Sequence, residues 1–271
     1  MKRSREKPGF SVGICGPPGS GKTAIGCTAP GQLWIQTESN GLGTIHEWAE
    51  EVGEVENLAD LLVETPSEIP VVIPIFPGKH KQESRDLQSM LKSLDEAVLF
   101  IRNNAAEIKR MGRKTVILDS LTDVNQRVID LEGNDAGDQI PMASWQRIKV
   151  RTLRVVEALR SVVSSGLDLI IIFGLQENHK PDPSNKMERI FAGWTPLISG
   201  AARETFMYKL MAVGSVSVVM KTTRAGKVVE RTTRFQGRTG YHVFKTKGAL
   251  SDSEGVDFNE WKRRALMRPE G

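Results

Sequence analysis

The sequence is poor in the residues that form covalent or metal-bound scaffolds. Its 271 residues include two cysteines, Cys15 and Cys27, and four scattered histidines. Two cysteines cannot make a disulfide framework, and neither residue type shows the spacing of a zinc site. We therefore expect a reducing, cytoplasmic setting for this chain.

Long hydrophobic runs are absent as well. The longest run, residues 167–175, is interrupted by Asp168 and Gly174, whereas a membrane-spanning helix needs ~20 apolar residues. The N-terminus is basic, but no apolar segment follows it, so it does not look like a signal peptide. With 39% hydrophobic and 26% charged residues, the composition is that of a globular protein, and we expect no membrane partner.

Positive charge is concentrated in the C-terminal third. The formal net charge is +4, and residues 221–247 contain eight Lys or Arg against one acid, Glu230. Such a block suits a surface that follows phosphates. It equally suits an exposed hairpin edge, where cations oppose aggregation between strands.

Apolar runs alternate with helical patterns, which is typical of a mainly parallel sheet flanked by helices. The predicted strands are residues 11–16, 33–37, 71–76, 115–119, 167–173 and 206–213; the predicted helices begin at Lys22 and cover residues 44–51, 85–111 and 145–164. Residues 215–244 alternate like antiparallel hairpins. We expect one α/β domain over residues 1–271, with a core of about 9–213 and a basic β extension and tail of about 214–271.

One segment carries a complete phosphate-loop motif between a predicted strand and a predicted helix. It reads Gly16, Pro17, Pro18, Gly19, Ser20, Gly21, Lys22, Thr23. The glycines let backbone N–H groups converge on phosphates, and the helix N-terminus adds partial positive charge. Lys22 should reach the β- and γ-phosphates of ATP, and the Thr23 hydroxyl should ligate Mg²⁺.

Three strand ends supply further candidate residues. Asp119 ends an apolar strand, which is how phosphate-loop folds present a carboxylate to Mg²⁺. Ser120 follows it, so the carboxylate that activates water must come from elsewhere, and Glu38 at the end of the second strand is the candidate. A helix-capping glutamate or a solvated glutamate of the loop would look the same. Gln176 leaves the fourth strand and could sense the γ-phosphate, or could cap neighbouring backbone.

These segments, taken in order, resemble the RecA superfamily of P-loop ATPases and, closer still, phage-encoded RecA-like single-strand annealing ATPases. The pair Asp119-Ser120 differs from the Asp-Glu pair usual in AAA+ ATPases. The resemblance covers residues from about 9 to 266, although a segment of about 30 residues, 52–81, departs from it. It implies a RecA-like core and a Mg²⁺-dependent ATPase that acts on single-stranded DNA in recombination or annealing, in the host cytoplasm if phage-encoded.

The resemblance also implies roles for the matching residues. Lys22, Thr23 and Asp119 would bind nucleotide and Mg²⁺, Glu38 would be the catalytic glutamate and Gln176 the sensor. Lys245 and Lys247, in the segment Lys-Thr-Lys-Gly, resemble lysines that reach the ATP of a neighbouring subunit. A homo-oligomer, ring or filament, is therefore expected, with a single-strand-binding protein as a possible further partner. Two exposed lysines on a basic strand would look the same.

In RecA-like proteins, DNA is gripped by loops after the third and fourth strands. Here these are residues 123–144, which are acidic with Arg127 as their one basic residue, and residues 178–199. The first is poor for phosphate contact. The second combines charge with aromatic surface, as single strands favour, or forms a lid ordered by nucleotide. Its relevant side chains are His179, Lys180, Lys186, Arg189, Phe191 and Trp194.

Two other functions stay open from the sequence. A nucleotide-gated switch that binds a protein partner and hydrolyses ATP slowly would explain the acidic first segment and the irregular residues 52–81. A small-molecule kinase has less support, because no Arg-rich lid or acceptor pocket is evident.

Overall fold

The computed structural model describes residues 8–75, 84–133, 140–184, 187–199, 202–223, 226–235, 250 and 254–266. These residues form the predicted α/β architecture, a mainly parallel sheet with helices on both faces. Within these ranges, no helix is both long and apolar enough to cross a lipid bilayer.

The strands of the described residues join into one sheet. They are β1 (Ser11–Gly16), β2 (Gln32–Gln36), β3 (Gly53–Glu54), β4 (Val71–Pro74), β5 (Thr115–Asp119), β6 (Asp168–Pro181), β7 (Arg189–Pro196), β8 (Ala212–Thr223) and β9 (Gly226–Arg234). Their order is β3-β4-β2-β5-β6-β1-β8-β9, with β7 paired to β6 outside this path. The pairings from β3 to β8 are parallel, whereas β8–β9 and β6–β7 are antiparallel. The predicted C-terminal hairpin is thus confirmed.

Parallel pairing brings the carboxyl ends of the central strands to one edge of the sheet. Gly16 of β1 pairs with Gly174 of β6, and Asp119 of β5 pairs with Ile172 of β6 and with Gln36 of β2. β6 therefore lies between the strand that precedes the phosphate loop and the strand that ends at Asp119. Open α/β sheets bind their ligands at this edge.

The helices cover both faces of the sheet. They are α1 (Lys22–Gly26), α2 (Ser39–Trp48), α3 (Ser84–Asn103), α4 (Ala105–Arg110), α5 (Leu121–Gly133), α6 (Met142–Ser161), α7 (Ala202–Tyr208) and α8 (Phe258–Leu266), with short 3-10 helices at Leu58–Leu62 and Val162–Ser165. Leu169 and Ile171 of β6 pack in the cluster that includes α3, α5 and α6, whereas Ile170 and Ile172 pack in the cluster that includes α1, α2 and α8. The alternation follows from the two-residue period of a strand.

Residues 52–75, part of the interposed segment, extend the sheet by β3 and β4. Arg113 holds them: its buried guanidinium donates to the carbonyl oxygens of Thr65 (2.8 Å), Pro66 (2.9 Å) and Ile69 (2.6 Å). This segment therefore packs as part of the fold.

The structure corrects several predicted elements. Residues 202–208 form α7, and the fifth strand expected at 206–213 begins only at Ala212. Ala202, Phe206 and Met207 are buried on α7 at a spacing that suits a helix, but so short an apolar run does not separate helix from strand. The helix predicted over 85–111 is divided into α3 and α4.

The two predicted loops are also wrong. Much of residues 123–144 is helical, because Leu121, Val124 and Val128 form a buried stripe on α5. Residues 178–199 contain the end of β6 and all of β7, which pair as an antiparallel hairpin. The single-domain division, with its boundary near residue 213, stays a prediction; β8 runs across that position.

Candidate active site

The phosphate loop joins the buried strand β1 to the first turn of α1. Gly19 has φ 72° and Gly21 has φ 88°, in the left-handed region that glycine adopts without strain. Gly21 is the N-cap residue of α1, so the loop leads directly into the helix. A Cβ on Gly21 would lie 2.8 Å from Arg231 Nε. These glycines of the motif therefore allow the left-handed backbone of the loop, and Gly21 also leaves room for the Arg231 side chain.

Lys22 lies inside the curve of this loop. Its Nζ donates to the carbonyl oxygens of Gly16 (3.1 Å) and Pro17 (2.9 Å). Burial lowers the pKa of the Lys22 ammonium, and the carboxylates of Asp119 and Glu38 oppose that shift. The cation is thus held beside two acids at the edge of the sheet.

Thr23 and Asp119 meet across 96 residues of sequence: Thr23 Oγ1 donates to Asp119 Oδ2 at 2.8 Å. Burial raises the pKa of Asp119 to about 6, and the Thr23 hydrogen bond opposes that rise. The backbone of Gly41 packs closely against this corner, formed by Thr23 and Asp119. A Cβ on Gly41 would lie 2.1 Å from Gln36 Nε2 and 3.0 Å from Asp119 Oδ2.

The donor chemistry of this corner fits a hard divalent cation. A hydroxyl and a carboxylate oxygen are ligands that Mg²⁺ takes, and this ion is commonly bound by few protein groups together with phosphates and water. Across the described ranges, no three His, Cys, Asp or Glu residues cluster as a complete protein-only metal site. Thr23 and Asp119 thus suit a metal ion that arrives with a phosphate ligand.

Glu38 follows β2 and occupies the N-cap position of α2. Its side chain makes no capping hydrogen bond; instead its Oε1 accepts a hydrogen bond from Ser120 Oγ. The helix-capping alternative therefore does not describe this side chain. Ser120 Oγ also accepts from the backbone N–H of Asp123 at 3.2 Å, which caps α5.

Thr37 joins the ends of β2 and β5. Its hydroxyl accepts from Ser120 N–H (2.8 Å) and donates to the Ser120 carbonyl (3.2 Å), and its own N–H donates to the Asp119 carbonyl (2.7 Å). The Asp119–Ser120 peptide bond is cis. The hydrogen bonds of Thr37 hold the ends of β2 and β5 together, so that Glu38 and Asp119 lie near each other.

A buried ion pair supports this strand end, and sequence reasoning missed it. Arg127 Nε lies 2.7 Å from Asp123 Oδ2, and Arg127 Nη2 donates to the Thr37 carbonyl at 2.6 Å. Arg127 is 5% exposed, so it is not the DNA-facing residue of a loop. Burial raises the pKa of Asp123 to about 6, and Arg127 opposes that rise. The four-residue spacing on one helix was the available signal.

Eight of the predicted site residues and neighbours share one cavity of about 570 Å³, a size typical of ligand pockets. Its lining includes Pro18, Gly19, Gly21, Lys22, Thr23, Glu38, Asp119 and Ser120, and also Thr44, Glu47, Trp48, Thr122 and Arg231, which the motif analysis did not select as site residues. Gly16, Pro17 and Ser20 of the motif belong to the loop but not to the lining. Ser20 Oγ is buried, and a Cβ on Gly16 would lie 2.5 Å from it.

Gln176 stands apart from this group. Gly174 and Leu175 line the cavity and Gln176 does not; it pairs with Thr195 in the β6–β7 hairpin. Its sensor role stays a prediction. Lys245 and Lys247 lie outside the described residues.

One protein family matches most of the chain. The family described as AAA domain matches residues 9–243. A solved structure described as a prototypical ATPase from the type III secretion system of pathogenic bacteria is similar, with 12% sequence identity and a TM-score of 0.42 over 78% of this chain. The matched region spans 51% of that protein, about half its length. No curated protein matches the chain. The family match covers most of the sequence, and the chain therefore belongs to the AAA-domain family of P-loop ATPases.

Proposed function

We propose that this chain is a Mg²⁺-dependent, RecA-like ATPase that acts on single-stranded DNA in phage-type recombination or annealing. The observation that carries the proposal is the meeting of Lys22, Thr23, Asp119 and Glu38 in one cavity. Lys22 and the loop amides would bind the phosphates, and Thr23 with Asp119 would hold Mg²⁺. When bound, the metal ion neutralises charge that develops on the phosphate oxygens.

Glu38 would act as the general base. Its carboxylate accepts a proton from the attacking water, whose oxygen bonds to the γ-phosphorus while the bond to the β–γ bridging oxygen breaks, giving ADP and phosphate. Ser120 orients that carboxylate through its hydroxyl. The Ser120 bond leaves the second carboxylate oxygen for the water.

The β6–β7 hairpin would contact DNA. Phe191 is 52% exposed and lies edge-on between His179 (centroids 6.0 Å apart) and Trp194 (5.9 Å). Lys180 and Arg189 are exposed on the same hairpin. Aromatic surface with adjacent cations stacks bases and attracts the backbone of single strands.

α5 connects this hairpin to Ser120 and, through Ser120, to Glu38. Thr122 Oγ1 accepts from Gly174 N–H (2.7 Å), and Asn125 Oδ1 accepts from the N–H (2.9 Å) and hydroxyl (3.0 Å) of Ser199. The same helix begins at the cap made by Ser120. DNA bound at the hairpin would therefore act on the orientation of Glu38 through α5.

Lys245 and Lys247 are proposed to complete the site of a neighbouring subunit in a ring or filament. A double Lys245→Ala/Lys247→Ala chain should then bind nucleotide normally and lose turnover. Mixed with an excess of a Glu38→Gln chain, whose lysines are intact, it should regain turnover because its own site is sound. If stable mixed oligomers form and turnover does not return, Lys245 and Lys247 do not act on a neighbouring subunit.

The ATPase proposal is tested by turnover with and without single-stranded DNA for the unaltered chain, Lys22→Ala and Glu38→Gln. Lys22→Ala should weaken nucleotide binding and turnover. Glu38→Gln should keep nucleotide and lose about 10²- to 10⁴-fold in turnover. DNA should stimulate turnover, and its binding should weaken steeply with salt. Absence of any DNA effect at low salt would refute the DNA-dependent part.

A nucleotide-gated switch for a protein partner is the second candidate. Its support is the apolar surface of the same hairpin, where Met187 is 93% exposed and Ile190 is 44% exposed. Such side chains bury well against a protein. A partner that binds only in the presence of ATP, with no DNA effect on turnover, would favour this function.

A further inference from the structure

The basic hairpin leaves the sheet directly beside the phosphate loop. β8 pairs in parallel with β1, with Cys15 opposite Ser215. The carbonyl oxygen of Val216 would lie 3.0 Å from a Cβ on Gly16, the first residue of the loop motif. β9 returns antiparallel to β8, with Arg231 opposite Val218. This arrangement carries the second strand of the hairpin past the loop.

The Arg231 side chain rests on Gly21. Its Nε, Cδ and Cζ atoms lie 2.8, 3.0 and 3.6 Å from the position of a Cβ on Gly21, and it lines the cavity with Lys22 and Thr23. Any larger residue at position 21 would displace this side chain. The glycine thus makes room for an arginine that comes from 210 residues further along the chain.

Within the described part of the chain, the Arg231 guanidinium has no ion-pair partner. By contrast, Arg127 pairs with Asp123 at 2.7 Å and Arg264 with Glu254 at 2.8 Å. Glu38, Glu47 and Asp119 line the same cavity, but none of them pairs with Arg231, so its guanidinium is available for an anionic ligand.

The backbone around Arg231 is well anchored. Thr233 exchanges both backbone hydrogen bonds with Glu254 (2.9 and 2.8 Å), and the buried ring of Phe235 packs edge-on against Trp261 at 5.1 Å. These contacts fix the strand from its C-terminal side. The backbone that carries Arg231 is therefore fixed by the fold, and its exposed side chain lies over Gly21.

We infer that Arg231 binds the α- and β-phosphates of the nucleotide held by its own subunit. The inference rests on the proposed function, since it needs a nucleotide in the cavity. The loop amides cradle these phosphates, and a guanidinium beside Gly21 adds two parallel donors that match phosphate geometry. Because ADP and ATP share these phosphates, Arg231 serves the affinity for both, unlike a residue that contacts only the γ-phosphate.

The test is calorimetric titration of Mg·ADP and of a Mg-bound non-hydrolysable ATP analogue. Arg231→Ala should weaken both affinities about tenfold, the loss expected for one charge-assisted contact, and Arg231→Lys should recover part of it. Arg234→Ala is the matched control, because Arg234 is an exposed arginine of β9 that does not line the cavity. Its affinities should match those of the unaltered chain. The nucleotide-induced rise in Tm should shrink for Arg231→Ala alone.

The outcomes separate the two claims. An unaltered chain that binds neither nucleotide overturns the proposed function itself. Binding by the unaltered chain with equal affinity for Arg231→Ala, folded by circular dichroism, overturns the role of Arg231 alone. Loss of DNA binding in Arg231→Ala with unchanged nucleotide affinity would assign the guanidinium to DNA and likewise overturn it.

Discussion

The Ser120 hydroxyl has two roles, orienting Glu38 and capping α5, and substitutions of Ser120 can separate them. Ser120 Oγ donates to Glu38 Oε1 and accepts from the Asp123 N–H at the start of α5. Ser120→Ala loses both bonds. Ser120→Gly also loses both, but glycine is nearly as good as serine at a helix N-cap, whereas alanine is poor there. The two variants therefore differ in helix stability and share the loss at Glu38.

The magnitudes follow from these contacts. A hydrogen bond to a charged group contributes ~1.5–3 kcal/mol. If all of it is expressed in the transition state, kcat falls about 10- to 100-fold. Loss of the cap should cost about 1 kcal/mol of unfolding free energy in Ser120→Ala and a few tenths in Ser120→Gly.

The assay combines steady-state hydrolysis with urea unfolding of the same preparations. Both variants should lose kcat to a similar extent while KM for ATP stays near its original value, because Lys22 and the loop are untouched. The kcat of Glu38→Gln is the lowest value expected, because that variant loses the base itself. If either folded variant keeps its full kcat while Glu38→Gln is inactive, Ser120 does not position the base.

Three further predictions concern stability and the metal corner. Folding raises the pKa of Asp119 and of Asp123 from 3.8 to about 6, so the native state binds protons more tightly. The unfolding free energy without ligand should therefore fall as pH rises from about 4 to 6, by up to about 1.4 kcal/mol per pH unit for each group. Mg·ADP should oppose this fall, because the metal binds the ionised Asp119. Arg127→Met leaves Asp123, whose side chain is 24% exposed, without its cation and the Thr37 carbonyl without its donor, and should cost about 1–3 kcal/mol in urea unfolding. Gly41→Ala should displace Gln36 from its 2.8 Å bond to the Glu38 carbonyl, costing ~1 kcal/mol and weakening Mg²⁺-dependent turnover.

Matched variants control each of these. Asp119→Asn should reduce the fall of the unfolding free energy between about pH 4 and 6. An unchanged fall would contradict its assignment to the Asp119 carboxyl. Lys92→Ala removes an exposed ion pair with Glu96 and should leave the urea midpoint nearly unchanged, so an equal loss would refute the burial argument for Arg127. Gly43 lies in the same helix, and a Cβ added there would have no neighbour within 4 Å, so Gly43→Ala should stabilise α2, as alanine usually does. If Gly41→Ala and Gly43→Ala changed stability and turnover equally, the argument from crowding at Gly41 would be refuted.

Local sequence determined the features that depend on neighbouring residues. The phosphate loop needs one strand, one turn with glycines and one helix, all within residues 11–26, and each is present where the motif predicts it. Asp119 and Glu38 were identifiable because each ends or follows an apolar strand, and parallel strands end at the same edge.

Apolar patterns were less informative where polar and charged residues predominate. Residues 178–199 suited an exposed loop and an exposed hairpin equally, and only pairing of β7 with β6 decides between them. Over residues 123–144, acidic residues are interspersed with the apolar stripe of α5, so the composition resembles that of a loop although the segment is largely helical.

Tertiary structure alone decided which distant groups meet. Composition and periodicity specify elements but not their order across a sheet, and that order sets every long-range contact at the site. The bonds from Ser120 to Glu38 and from Thr23 to Asp119 depend on the places of β2 and β1 around β5 and β6. Arg231 reaches Gly21 because β8 pairs with β1. A motif is local because backbone geometry is local, whereas a catalytic partnership depends on how the whole chain packs.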